Sequence, residues 1–311
     1  MFDSYNRLSR RDFIIAVAAM AAGTAVSPRL LMGGSGPLNR NTIPASGEKL
    51  PVVGMGTSRT FDVGDDPGRR SELARVLEIF FDNGGTLIDS SPMYGTAEMV
   101  VGDLLRNNPN TDKCFAATKV WTDGRRAGMQ QMERSRQRMG VPAIDLMQIH
   151  NLRDWQTHLP VLREWKQAGK IRYIGITTSH GRSHEALEQI MLKEPLDFVQ
   201  FSYSLADRTV EKRLLPLAAD SGIATLINRP FQRGSLFRKV SGIALPPWSA
   251  DVDCSSWGQF FLKYILSHPA VTCVIPATSK PHHMLDNMGA GFGRLPDTRQ
   301  RSRMEKYFNS L

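Results

Sequence analysis

From about residue 50 onward, short apolar runs alternate with longer stretches whose apolar residues recur at three- and four-residue spacing. The runs read as buried strands and the spaced stretches as helices with one apolar face. Ile43–Val53, IPASGEKLPVV, alternates around Ser46-Gly47, the mark of a hairpin. VVGMGT then ends a strand at Gly56-Thr57, and Leu73, Val76, Leu77, Phe80 and Phe81 give residues 70–83 a helical face. Strands are expected at 86–90, 115–120, 144–150, 171–177, 197–203, 223–228 and 271–276. Helices are expected at 97–107, 125–139, 156–168, 183–193, 209–221, 255–267, 282–289 and 298–309. Gly128 interrupts one helical pattern, Gly169 and Gly222 suit helix C-caps, and 229–254 reads as irregular.

Eight strand–helix units without an internal linker imply an α/β fold closed as a parallel (β/α)8 TIM barrel, with an N-terminal β-hairpin. A doubly wound open sheet is the alternative, but no GxGxxG follows the first strand. The barrel domain is expected over 43–311, and 1–42 is set apart from it. There Ser9-Arg10-Arg11-Asp12-Phe13-Ile14 precedes an apolar run, Ala16–Val26, too short for a comfortable membrane span. The paired arginines resemble the twin-arginine (Tat) export signal of bacteria, which implies a periplasmic protein handled by the Tat machinery, or a cytoplasmic one if the signal is not used; an amphipathic N-terminal helix or an uncleaved anchor is the alternative. Residues 28–42 read as a flexible lead-in, rich in Gly, Pro and Asn.

The 311 residues carry a formal charge of +9, of which +3 lies in residues 1–40. The remainder reads as a dispersed basic surface. No basic run is interleaved with aromatics, so nucleic acid is not an expected partner. Cys114, Cys254 and Cys273 have neither metal nor disulfide spacing and read as inert buried thiols, and no metal is expected.

In such a barrel, chemistry gathers at the C-terminal ends of the strands. Those ends carry Thr57, Asp89, Lys119, His150, Thr177-Thr178, Gln200, Asn228-Arg229 and Ser279-Lys280. Singly each has a bland reading: a snorkelling lysine, a core histidine, a capping glutamine. Together they converge on one rim. The stretch GGTLIDSSPMYG, 84–95, adds Tyr94 five positions after Asp89. A charged lysine beside an aspartate lowers the pKa of a nearby phenol, which can then donate a proton. A neutral histidine can donate a hydrogen bond to a substrate oxygen. The set polarises a carbonyl and supplies a proton but no electrons, so a nicotinamide cofactor is needed for hydride.

These residues carry a resemblance to the aldo-keto reductases, extending over essentially all of 43–311. Its strongest parts are GGTLIDSSPMYG, ATKVW and DLMQIH. The resemblance implies Tyr94 as general acid, Lys119 as its pKa modulator, Asp89 as the partner of Lys119 and His150 as the carbonyl orienter. It implies that NADP, with NAD possible, is held by Gly56, Thr57, Thr177, Thr178 and Gln200. It adds Asn228 and, from the RPFQRGSLF loop that resembles the family's phosphate-covering segment, Arg229, Pro230, Phe231, Arg233 and Gly234. From VIPATSKPHHMLDN, where the family commonly sets a basic pair on the 2′-phosphate, it adds Ser279, Lys280, His283, Asp286 and Asn287, with Ala277 and His283 at the positions of that pair and Lys280 between them. Departures stand out. Thr177-Thr178 replaces a common Ser-Asn, and Asn228 replaces a tyrosine that often stacks on the nicotinamide. Trp121, Trp155, Trp248 and Trp257 are candidates to line the mouth. The substrate implied is a small aldehyde or ketone. A cofactor-binding sensor or partner protein with little turnover, like the potassium-channel beta subunits, is the second reading. A Schiff-base aldolase using Lys119 is the third.

Overall fold

The computed structural model describes residues 36–311. The twin-arginine motif and most of the lead-in lie outside the described residues. Strands β1 (Arg40–Thr42) and β2 (Lys49–Pro51) form the expected antiparallel hairpin. It starts earlier than the alternation suggests, so Arg40–Thr42 belong to a strand rather than to a flexible lead-in. The cause is tertiary. Asn41 Nδ2 donates to the carbonyl of Val271 at 2.8 Å, and Ile43 and Leu50 join the core inside the barrel.

Eight parallel strands follow: β3 (Met55–Gly56), β4 (Leu87–Asp89), β5 (Phe115–Val120), β6 (Ile144–Ile149), β7 (Ile171–Thr177), β8 (Phe198–Ser202), β9 (Ala224–Asn228) and β10 (Cys273–Val274). Each pairs with the next in chain order. Bridges Val53–Val274 and Gly56–Ala277 join the first to the last. The sheet therefore rolls into a barrel, and the open-sheet alternative falls.

Helices α1 (Pro67–Asp82), α2 (Ala97–Arg106), α3 (Arg125–Met139), α4 (Trp155–Gln167), α5 (His184–Lys193), α6 (Leu214–Asp220), α7 (Ser235–Lys239), α8 (Trp257–Leu266), α9 (Pro281–Gly289) and α10 (Thr298–Ser310) complete the described elements. The expected helix 209–221 divides into a 3-10 turn, Thr209–Lys212, and α6. Pro216 explains the break, because its ring clashes with a helical carbonyl four residues back. The stretch 229–254 holds α7 and two 3-10 turns, pieces too short to show a period. Gly128 does not interrupt α3; a Cβ there would lie 2.5 Å from His158 Cε1, so the glycine lets α3 and α4 close together.

Inward positions recur at every second strand residue. Leu87, Ala117, Leu146, Phe198 and Leu226 all belong to the inner core. Two residues further along the same strands, on the same face, stand Asp89, Lys119, Gln148, Gln200 and Asn228. The apolar filling of the barrel thus ends in a polar layer at the strand C-termini, and that layer is the floor of the site.

Candidate active site

Asp89 is the hub of this floor. Its Oδ2 accepts from Lys119 Nζ at 2.6 Å, with both side chains almost fully enclosed. Its Oδ1 accepts from Gln148 Nε2 at 2.9 Å and from Gln200 Nε2 at 3.1 Å. Lys119 Nζ also donates to the carbonyl of Ser90 at 2.7 Å and lies 5.1 Å from the centre of the Tyr94 ring. A buried ion pair persists only when its remaining lone pairs and protons are matched, as they are here. Burial pulls Lys119 toward neutrality, but Asp89 and Tyr94 outweigh it and hold the ammonium above the ordinary lysine value. A neutral amine for a Schiff base is therefore not on offer, which argues against the aldolase reading.

Tyr94 departs from expectation in one respect. Lys119 does pull its pKa down, but burial outweighs that pull and the phenol sits above its ordinary value. Tyr94 is a firmly protonated donor, with a cation beside it to receive the phenolate. His150 meets the Tyr94 ring edge-on, with centroids 5.7 Å apart. Burial, reinforced by Lys119, depresses its pKa to about 3, so the imidazole is neutral. Ser91 Oγ, which accepts from the Met93 N–H at 3.2 Å, lies 2.8 Å from His150 Nδ1. In the tautomer where this hydroxyl donates to Nδ1, the Nε2 carries the hydrogen.

Above the floor opens a cavity of about 1360 Å³. Asp89, Tyr94 and His150 line it, with Gly56, Thr57, Thr177, Thr178, Gln200, Asn228, Arg229, Pro230, Phe231, Arg233, Gly234, His283, Asp286 and Asn287. Ser279 and Lys280 do not. Lys280 turns to Glu72 on α1, at 2.9 Å. Of the four candidate tryptophans only Trp257 reaches the cavity wall. Trp121 stands behind His150, with centroids 6.4 Å apart, and Trp248 packs on Phe260 and Tyr307.

Three features suit a nicotinamide dinucleotide. The volume exceeds the few hundred Å³ that small ligands occupy. The Thr178 hydroxyl is buried against this cavity without a protein partner. Gln200 has both N–H groups engaged, by Asp89 and by Gln148 Oε1 at 3.0 Å, and its Oε1 accepts only from Asn228 Nδ2 at 3.3 Å. One acceptor lone pair of that amide therefore remains open.

Sequence reasoning missed Gln148, Ser91, Arg59, His180 and Arg182. The strand period could have found Gln148, which lies two residues before His150 on the same inward face. Ser91 and the loop residues leave no periodic trace. Cys254 and Cys273 are buried as expected, and burial lifts Cys254 to about 12, whereas Cys114 is half-buried rather than buried.

A closed parallel barrel that sets a protonated phenol near a buried ammonium and a neutral imidazole at its strand C-termini has the groups to polarise a carbonyl and supply a proton. The model of the Aldo/keto reductase family matches residues 52–306, and the chain belongs to that family. It is similar to aldo-keto reductase YhdN of Bacillus subtilis, 30% identical over 222 residues, which cover 64% of each chain. It is also similar to the NADH-specific methylglyoxal reductase of Escherichia coli, 28% identical over 63% of this chain and 68% of that one. An aldo-keto reductase from Klebsiella pneumoniae in complex with NADP and acetate shares the fold, with a TM-score of 0.70 and 22% identity over 84% of this chain and 93% of that one.

Proposed function

We propose that the protein reduces an aldehyde or ketone to an alcohol with NAD(P)H. The observation that carries this is the arrangement around Lys119, a buried ammonium fixed by Asp89 beside a protonated Tyr94 and a neutral His150. A bound nicotinamide supplies hydride, which no side chain can. The protein's part is to hold the carbonyl oxygen and give it a proton. The Tyr94 and His150 rings lie edge to face with centroids 5.7 Å apart, an arrangement in which one substrate oxygen would accept from both the imidazole N–H and the phenol. As charge develops on that oxygen, Tyr94 transfers its proton, and Lys119 stabilises the phenolate left behind. Thr178 and the open lone pair of Gln200 would hold the carboxamide. Arg229 and Arg233, in the segment resembling a phosphate cover, would meet the pyrophosphate.

NADP is the cofactor favoured, with NAD also admitted. His283 lines the cavity, whereas Lys280 is drawn to Glu72, so only part of the expected basic grip faces a 2′-phosphate. Equilibrium titration with NADPH and NADH decides the point, and tighter NADH binding overturns the preference. The reductase reading itself is tested by NADPH oxidation against a panel of aldehydes and quinones beside Tyr94→Phe. Turnover that largely vanishes in the variant, with cofactor still bound, supports it. Binding without turnover in either protein sinks it in favour of the sensor reading.

Export through the twin-arginine pathway to the periplasm belongs to the same proposal, supported by Ser9-Arg10-Arg11-Asp12-Phe13-Ile14. Substrates of that pathway generally cross folded, which would let a cofactor travel in place. Fractionation of the native chain beside an Arg10→Lys, Arg11→Lys variant tests it. Cytoplasmic retention of both proteins contradicts export, and apoprotein in the periplasm contradicts carriage.

A further inference from the structure

Four arginines line the cavity: Arg59 after β3, Arg182 after β7, and Arg229 and Arg233 after β9. None pairs with a carboxylate among the described residues, although the protein pairs many of its other arginines so. Both carboxylates of the cavity wall are already engaged, Asp89 by Lys119 and Asp286 by Ser256 at 2.7 Å and Gln259 at 3.0 Å. Asp207, near Gly181, accepts from Thr209 instead. The cluster is close enough to repel itself. After burial, Arg233, Arg59 and Arg182 are what depress Arg229.

The backbone gives a second, independent sign. Arg59, Arg229 and Arg233 take φ of 66°, 53° and 56°, and His180 takes 66°. Non-glycine residues avoid this left-handed region, and where they occupy it the strain tends to gather at binding sites. His180 fits such a role. Its Nε2 lies 2.6 Å from Arg229 Nη1, and its Nδ1 lies 2.6 Å from Ser179 Oγ. Burial and then Arg229, Arg233 and Arg182 keep the imidazole below its ordinary pKa, so it orients Arg229 as a neutral acceptor.

A dinucleotide pyrophosphate carries about two negative charges, which Arg229 and Arg233 can match. Arg59 and Arg182 come from the ends of two other strands, outside that segment, and remain over. We propose that Arg59 and Arg182 receive an anionic group, a carboxylate or a phosphate, carried by the carbonyl substrate. This rests on the reductase reading, since it names the substrate class of the same cavity. A cleft lined by one sign of charge also gathers substrate of the opposite sign, an effect that salt weakens.

The test compares matched substrates on the full chain: benzaldehyde with 4-carboxybenzaldehyde, and glyceraldehyde with its 3-phosphate. NADPH affinity is read separately by fluorescence. The anionic member of at least one pair should show kcat/KM higher by about tenfold or more at low salt, a ratio that shrinks as salt rises. The pair that responds tells carboxylate from phosphate. In the Arg59→Ala, Arg182→Ala double variant the ratio should fall toward one while the Kd for NADPH changes far less. A native ratio near one for both pairs overturns the inference. So does a loss of NADPH affinity that matches the loss of preference, because the two arginines would then serve the cofactor. If NADPH binds but no aldehyde is reduced, the reductase reading fails, and the anion site is read by calorimetry of benzoate and inorganic phosphate against benzamide. Anion binding lost in the double variant supports the site, and no preference over benzamide overturns it.

Discussion

At the floor of the cavity Lys119 and Asp89 lie 2.6 Å apart with their polar atoms matched by Gln148, Gln200 and the carbonyl of Ser90. At the rim Arg59, Arg182 and Arg233 stand exposed without an acidic partner among the described residues. The floor is built on strands, where a period of two fixes which way each residue faces. The rim is built on loops, several of whose residues hold backbone angles that side chains disfavour. The floor is therefore self-sufficient and the rim is completed by what binds, so substitutions should act differently on the two.

The largest effect is expected at the floor. Tyr94→Phe removes the proton donor and should lower kcat by about 10²- to 10⁴-fold while leaving the fold intact, as single-turnover kinetics beside circular dichroism would read. Lys119→Met deletes one half of the buried pair and strands Asp89. Urea titration should show a loss of about 3–5 kcal/mol, and a near-native midpoint would break the claim that the floor is tightly coupled.

The His150 effect is smaller and depends on pH. Its folded pKa of about 3 lies below the ordinary 6.5, so the unfolded chain takes up a proton that the folded chain refuses. The stability it contributes is present above about 6.5 and declines as the pH falls toward 3. Between pH 6.5 and 5 this one group should remove about 2 kcal/mol, and His150→Gln should lack that slope. Equal slopes would mean that His150 is not desolvated as described. The smallest effect belongs to the rim, where Arg182→Ala should shift stability by no more than about 0.5 kcal/mol. A loss comparable to that of Lys119→Met would erase the contrast.

The same contrast explains what could be read from the chain alone. The spans 115–120 and 171–177 emerge as read, and the other barrel strands match within two or three residues at either end, because buried strands leave continuous apolar runs. Asp89, Tyr94, Lys119 and His150 were legible since each sits at or just beyond a strand end, where the fold gathers its chemistry. The hairpin's start was not, because Arg40–Thr42 acquire their structure from Leu50 and Val271 far along the chain. Lys280 was placed in the cavity by resemblance, yet Glu72, on a distant helix, takes it away. The direction of the Tyr94 shift was misread because a sequence names the neighbouring charge but not the depth of burial that outweighs it.

The left-handed backbone at Arg59 bears on how such a site can drift over generations. Glycine adopts that angle without steric penalty, so Arg59→Gly exchanges a charge for relief of strain. Loss of the guanidinium would then leave the fold no poorer, and no compensating change would be needed elsewhere. A lineage could shed or regain its taste for charged substrates one codon at a time, while the proton-donating floor passes through unaltered.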